Sequence, residues 1–120
     1  MEIRENTDHI PYTYVFVRSD LTAAQQIVQA AHATYEAGWK FPKTEHPLHL
    51  ILFAVKDEQA LLKASERIGM NGVDHCMFYE PDLPGYTAIA SQPLYGAERD
   101  IMRKYDLYLP DEDAKHLISA

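Results

Sequence analysis

The chain of 120 residues carries one cysteine, Cys76, so it forms no internal disulfide. That excludes the small disulfide-scaffold class and fits a reducing compartment, which makes the cytoplasm the expected location. Long apolar runs are missing as well. The longest, Leu48 to Val55, is broken by His49 and falls far short of the ~20 residues a membrane helix needs. Met1 to Tyr12 is too polar for a secretory signal peptide, so no membrane partner is expected. Positive charge is scarce: 11 Lys and Arg stand against 18 Asp and Glu, a formal net charge of −7. Nucleic-acid binders gain much of their affinity by neutralising phosphates, so this balance counts against tight or extensive RNA contact. Arg99, Arg103 and Lys104 form one basic cluster and Lys40 with Lys43 another, and both read as solvated surface. There is no Gly-rich phosphate loop, no dinucleotide fingerprint and no nucleophile elbow. No repeat or low-complexity tract divides the chain. It reads as one domain over residues 1–120, with a polar arm at 1–11 and a tail at 107–120.

What is present is an ordinary globular composition, 47% apolar and 24% charged, in a chain long enough to bury a core. Tyr12 to Ser19 reads as a first strand. Thr22 and Gln25 have capping-box spacing, and Ala24, Ile27, Val28, Ala31 and Tyr35 then recur at helical spacing, which predicts an apolar stripe facing a sheet. Gly38 is the expected stop. Leu48 to Val55 is apolar at both alternating sets of positions, the pattern of a strand in the middle of a sheet. Asp57 caps a second helix with Leu61, Ala64 and Ile68 inward, closed by Gly69. Asp74 to Glu80 and Tyr86 to Ser91 are strands joined through a proline-bounded turn, and Gly96 to Tyr105 is a short amphipathic helix with Ile101, Met102 and Tyr105 inward.

The fold class is therefore α/β, a three-layer α/β/α arrangement on a small four-stranded mixed sheet, with element order β-α-β-α-β-β-α. Helical crossovers make the first three strands parallel, and the tight turn makes the fourth antiparallel. This topology brings Arg18-Ser19-Asp20, the helix start at Thr22, Glu80 to Asp82 and Thr87 to one edge, where α/β proteins build ligand sites. Arg18 has two readings there: a structural partner for Asp20 or Glu80, or a holder of an anionic ligand. Asp20 alternatively helps cap the first helix. Gln25, Gln29, His32 and Glu36 form a polar stripe that is either a solvated helix face or the border of a cleft. His46, His49, His75 and Cys76 invite a metal reading if the second and third strands are neighbours, but zinc needs three or four convergent ligands. No metal and no cofactor is expected.

Val17-Arg18-Ser19-Asp20-Leu21, followed by Gln29-Ala30-Ala31-His32-Ala33, resembles the type II peptidyl-tRNA hydrolase family. The apolar second strand, the acidic helix start Asp57-Glu58 and the approach to the last strand through Pro84, Gly85 and Thr87 are similar too, so that the resemblance covers roughly residues 12–106. It implies hydrolysis of the ester between a peptide and the 3′ ribose of tRNA, with tRNA as partner. Asp20, Gln29 and His32 would shape the site, Glu80 or Asp82 would orient or activate water, and Thr87 would supply a hydroxyl near the ester. Arg18 joins the substrate-binding group. The chain departs from the family in two places. The family's lysine-rich stretch after Asp-Leu is here Thr22-Ala23-Ala24-Gln25-Gln26, and its Asp-Ala-Gly-Arg-Thr segment is replaced by Glu80-Pro81-Asp82-Leu83-Pro84. These losses keep a second class open: a non-catalytic binding or regulatory protein on the same scaffold. The tyrosine-rich carboxyl region (Tyr95, Tyr105, Tyr108 with Leu107 and Leu109) either covers an apolar face or forms a homodimer contact.

Overall fold

Local signals decide where each element begins and ends. In a computed structural model, which describes residues 8–83 and 85–109, β1 (Tyr12–Arg18) leads into α1 (Ala23–Lys40) through a complete capping box. Gln25 N donates to Thr22 Oγ1 at 3.2 Å, and Thr22 N donates to Gln25 Oε1 at 3.0 Å. The helix runs two residues past the expected stop at Gly38 and ends at Phe41, whose extended backbone (ψ 144°) is what the following Pro42 requires. β2 (His49–Val55) and α2 (Glu58–Met70) follow, with Ala60 N donating to the Asp57 cap at 2.9 Å. Gly69 lies inside α2 rather than closing it. The left-handed residue is Gly72 (φ +80°), and Val73 N reaches back to Ile68 O, the bond that closes a Schellman-type end. β3 (His75–Tyr79), β4 (Tyr86–Ser91) and a 3-10 helix (Gly96–Lys104) complete the order. The arm up to residue 7, Pro84 and the tail from residue 110 lie outside the described residues.

The sheet order is β2-β1-β4-β3. β1 is parallel to β2, and β4 is antiparallel to both β1 and β3, so the first three strands share one direction as expected. Apolar packing covers both faces. Tyr14, Phe16, Phe53 and Ile89 meet Leu61, Ala64 and Ile68 of α2 and Met102 of the 3-10 helix. On the other face Val15, Val17, Ala88 and Ala90 meet Ala33 and Ala37 of α1, where alanines let helix and sheet approach closely. Tyr105 packs edge-on against Phe16 at 4.8 Å, and Ile101 is half-buried beside it. At the β3 edge, Ser65 Oγ lies 2.7 Å from His75 Nε2. His75 Nδ1 lies 3.1 Å from the Val73 carbonyl, which only accepts, so Nδ1 carries a proton and the ring is fixed between Val73 and Ser65.

Three expectations are corrected. β2 is an edge strand, not a central one, and its free edge is covered by residues 106–108: Ala54 N donates to Asp106 O at 3.1 Å and Tyr108 N donates to Leu52 O at 2.8 Å. Its apolarity on both sides is not matched by cover on both sides: α1 lies over the other three strands, and Leu48, just before the strand, and Leu50 are left 41% and 55% exposed beside the helix. The β2 edge position also puts His49 and His75 at opposite edges of the sheet, so they are not neighbours. Second, the stripe of α1 that faces the sheet is Gln26, Gln29, Ala33 and Ala37, while Ala24, Ile27, Val28, Ala31 and Tyr35 face outward. Third, Arg99 is not solvated surface: its guanidinium lies 3.5 Å from the Tyr12 ring centre and Nε donates to Tyr14 Oη at 2.8 Å.

Candidate functional site

Parallel β1, β2 and β3 end on the same side of the sheet, where β4 begins. That geometry gathers Arg18, Asp20, Asp57, Glu58, Glu80 and Tyr86-Thr87 at one end, beside the amino-terminal half of α1. The arrangement has two connected parts.

The first is centred on Arg18, whose side chain is only 12% exposed. Its Nε and Nη2 donate to the two carboxylate oxygens of Asp20 at 2.9 and 2.8 Å, a bidentate pair, while Nη1 donates to the Tyr86 carbonyl at 3.2 Å. These bonds hold the Asp20 carboxyl below the ordinary carboxylate range and raise the guanidinium further. Asp20 does not cap α1, since Thr22 does that, and its partner is Arg18 rather than a helix amide. On the other side of Tyr86, its backbone N–H donates to Glu58 Oε2 at 2.7 Å. Gly85 makes this possible. It has φ +90°, and a Cβ there would run into the Glu58 carboxylate.

The second part is a chain of polar groups. Thr87 Oγ1 donates to Gln29 Oε1 at 2.5 Å, Gln29 Nε2 donates to Glu80 Oε2 at 3.3 Å, and Glu80 Oε1 accepts the Asp82 backbone N–H at 3.2 Å. The ionised carboxylate only accepts, so the Gln29 amide must turn its nitrogen to Glu80 and its oxygen to Thr87. Gln29 is 3% exposed and Thr87 is fully buried. A β-bulge puts Thr87 there. The β3–β4 register shifts between Phe78 and Tyr79, so Ala88 opposes Phe78 and Tyr86 opposes Tyr79, with Thr87 as the extra residue. Simple alternation would have turned Thr87 to the side of Ile89, away from α1. Next to this chain, His32 lies flat on Phe78, with ring centres 4.4 Å apart and planes 3° apart. Gln26 closes the turn below by donating to the carbonyls of Leu21 and Ser19 at 2.6 and 3.3 Å.

The structure thus joins Gln29, Glu80, Asp82 and Thr87 in one hydrogen-bonded line, pairs Arg18 with Asp20, and sets His32 alongside. Glu58 and the Tyr86 backbone belong to the same cluster and were not among the residues nominated from sequence. Glu58 looked like a helix-start carboxylate, and nothing local signals its bond across 28 positions. Among the described residues five carboxylates (Asp20, Asp57, Glu58, Glu80, Asp82) stand at this end against two cations, Arg18 and the exposed Lys56 that follows β2. Among the described residues no group of three His, Cys, Asp or Glu converges as a metal site would require. Cys76 is half-buried, and burial pushes its thiol up. A separate open cavity of about 690 Å³ lies at the opposite end of the sheet, lined by Thr13, Thr34, Ala37, Phe41, Leu48 and Leu50.

Fold and cluster together define a small mixed-sheet α/β domain with a polar, carboxylate-rich site at the ends of its parallel strands. No family model matches the chain, and no curated protein matches it in sequence.

Proposed function

We propose that the chain is an ester hydrolase of the type II peptidyl-tRNA hydrolase kind, acting on the bond between an acyl group and a tRNA 3′ ribose. One observation carries this reading: the line Thr87–Gln29–Glu80, anchored at its far end by the Asp82 amide. A water activated by a carboxylate needs that carboxylate ionised and held in one orientation. Gln29 and the Asp82 N–H each bind one oxygen of Glu80 and leave its other lone pairs free for water. Thr87, with no exposed surface, acts through Gln29 as a positioning residue. Asp20 neutralises Arg18 and keeps it on the Tyr86 carbonyl, so that pair shapes the site rather than reacting. His32, one turn after Gln29 and stacked flat on Phe78, supplies a planar wall at the border of the site. A cytoplasmic location and a tRNA partner belong to this reading.

The test is release of free tRNA from an N-blocked aminoacyl-tRNA by purified wild type, Glu80→Gln and Thr87→Val proteins. Turnover by wild type, reduced about 100-fold or more in Glu80→Gln, is the expected result. Thr87→Val should lose less, because it loosens the carboxylate without removing it. A second reading, a non-catalytic binding or regulatory protein on this scaffold, is favoured by the five carboxylates that outnumber Arg18 and Lys56 at this end and repel a phosphate-rich ligand. No tRNA release from folded wild type, together with no tRNA retention at low salt, would replace the first reading by the second.

A further inference from the structure

The outward face of α1 is the least expected surface of the molecule. Ile27, Val28, Tyr35 and Trp39 are 67%, 50%, 65% and 75% exposed, with Ala24, Ala31 and Gly38 between them. At 100° per residue this stripe lies directly opposite the buried Gln26, Gln29, Ala33 and Ala37. Within the helix only Glu36 and Lys40 carry formal charge, whereas α2 exposes Lys63 and Glu66 in the ordinary way. Tyr35 and Trp39 are in edge-to-face contact, ring centres 6.1 Å apart, so the aromatic end of the stripe is one continuous surface.

We propose that this face pairs with the same face of a second copy of the chain, the two α1 helices running antiparallel across a two-fold axis at Ala31. The stripe complements itself only in that arrangement. With Ala31 on the axis, Tyr35 of one protomer meets Ile27 of its partner, and Trp39 covers the small residues Ala23 and Ala24. Large groups fall on small ones and the helices approach closely at alanine. A parallel pairing would instead set Trp39 on Trp39 and Ala24 on Ala24. The four large side chains expose roughly 400 Å² of apolar surface. That is about half of the ~800 Å² each partner contributes to a stable interface. Leu48 and Leu50 lie across the groove that Thr34 and Gly38 border, so the apolar surface continues from α1 onto β2 and supplies more. The contact lies on α1 rather than on the tyrosine-rich carboxyl region, whose Tyr105 and Tyr108 pack within the fold.

Sedimentation velocity on wild type and on Ala31→Glu and Tyr35→Lys variants tests this. Wild type should sediment at twice the monomer mass at micromolar concentration. Emission from Trp39, the chain's one tryptophan, should shift to the blue as concentration rises through the transition. Both variants alter positions exposed in the single chain, so they should keep the wild-type circular dichroism yet sediment as monomers. A wild type that stays monomeric up to roughly 100 µM overturns the proposal. So does a dimer that survives both substitutions, since it would then use another surface.

Discussion

At Gly85 the backbone adopts φ +90° while the Glu58 carboxylate occupies the space a side chain would need. Both conditions disfavour any side chain at this position, and both serve the same end, the bond from Tyr86 N to Glu58 that fixes the start of β4. Gly85→Ala should therefore lower stability by about 1–3 kcal/mol in denaturant unfolding. Adding Glu58→Ala should recover only part of the loss, because it removes the clash and leaves the left-handed backbone. Two additive single effects would show instead that the residues are not coupled. Topology and residue type put Arg18, Asp20, Glu80, Asp82 and Thr87 at one edge. Gln29 and His32 were nominated through the family resemblance, since their polar stripe alone reads equally as a solvated helix face. Glu58 was not nominated. Its role depends on a partner 28 positions away, and its own neighbourhood gives it an adequate reason to exist as an acidic helix start.

At the scale of elements, the N-terminal caps at Thr22 and Asp57 were read correctly because they are local, whereas the glycine stops at Gly38 and Gly69 were placed two or three residues early. Thr22 and Gln25 satisfy each other's backbone amides within one turn, and Thr22→Ala should cost about 1 kcal/mol by thermal or chemical unfolding, with Gln25→Ala smaller. A loss below a few tenths of a kcal/mol would mean that the bonds from Gln26 to Ser19 and Leu21, not the cap, hold the helix start. The face of α1 was misread for an equally physical reason. Periodicity reveals that a stripe is apolar but not what it meets, and here the sheet takes glutamines and alanines while the larger apolar groups point outward. Gln26 and Gln29 are tolerated inside because the Gln26 amide nitrogen donates to two turn carbonyls and both ends of the Gln29 amide are paired, with Thr87 and Glu80. The bulge at Thr87 was equally invisible, because it is a property of two paired strands and not of either alone.

Across the whole molecule, ion pairing sets how stability responds to acid. The Asp20 carboxyl is depressed by its bonds from Arg18, and that of Asp74 by its bond from Lys40 at 3.0 Å. A carboxylate with a lowered folded pKa contributes its full stabilisation above its unfolded value, near pH ~3.9, and loses it as pH falls through the folded value. Arg18 is raised, so its share is constant through neutral pH. The melting temperature should thus be flat from neutral to mildly acidic pH and fall below about pH 4. Because Asp20 and Asp74 are partly solvated, with side-chain exposures of 39% and 60%, each pair accounts for at most about 1 kcal/mol of that decline. A fall that began near pH 6 would point to histidine instead. The sequence by itself determined the element order, the strand directions, the N-terminal caps of both helices and the gathering of charged residues at one end, since each follows from spacing, handed crossovers or contacts within one turn. Only the tertiary structure decided which strand lies at the edge, which face of α1 is buried and where Thr87 points. Those outcomes depend on pairing between segments far apart in the chain, and a sequence pattern records the chemistry of a face without recording its partner.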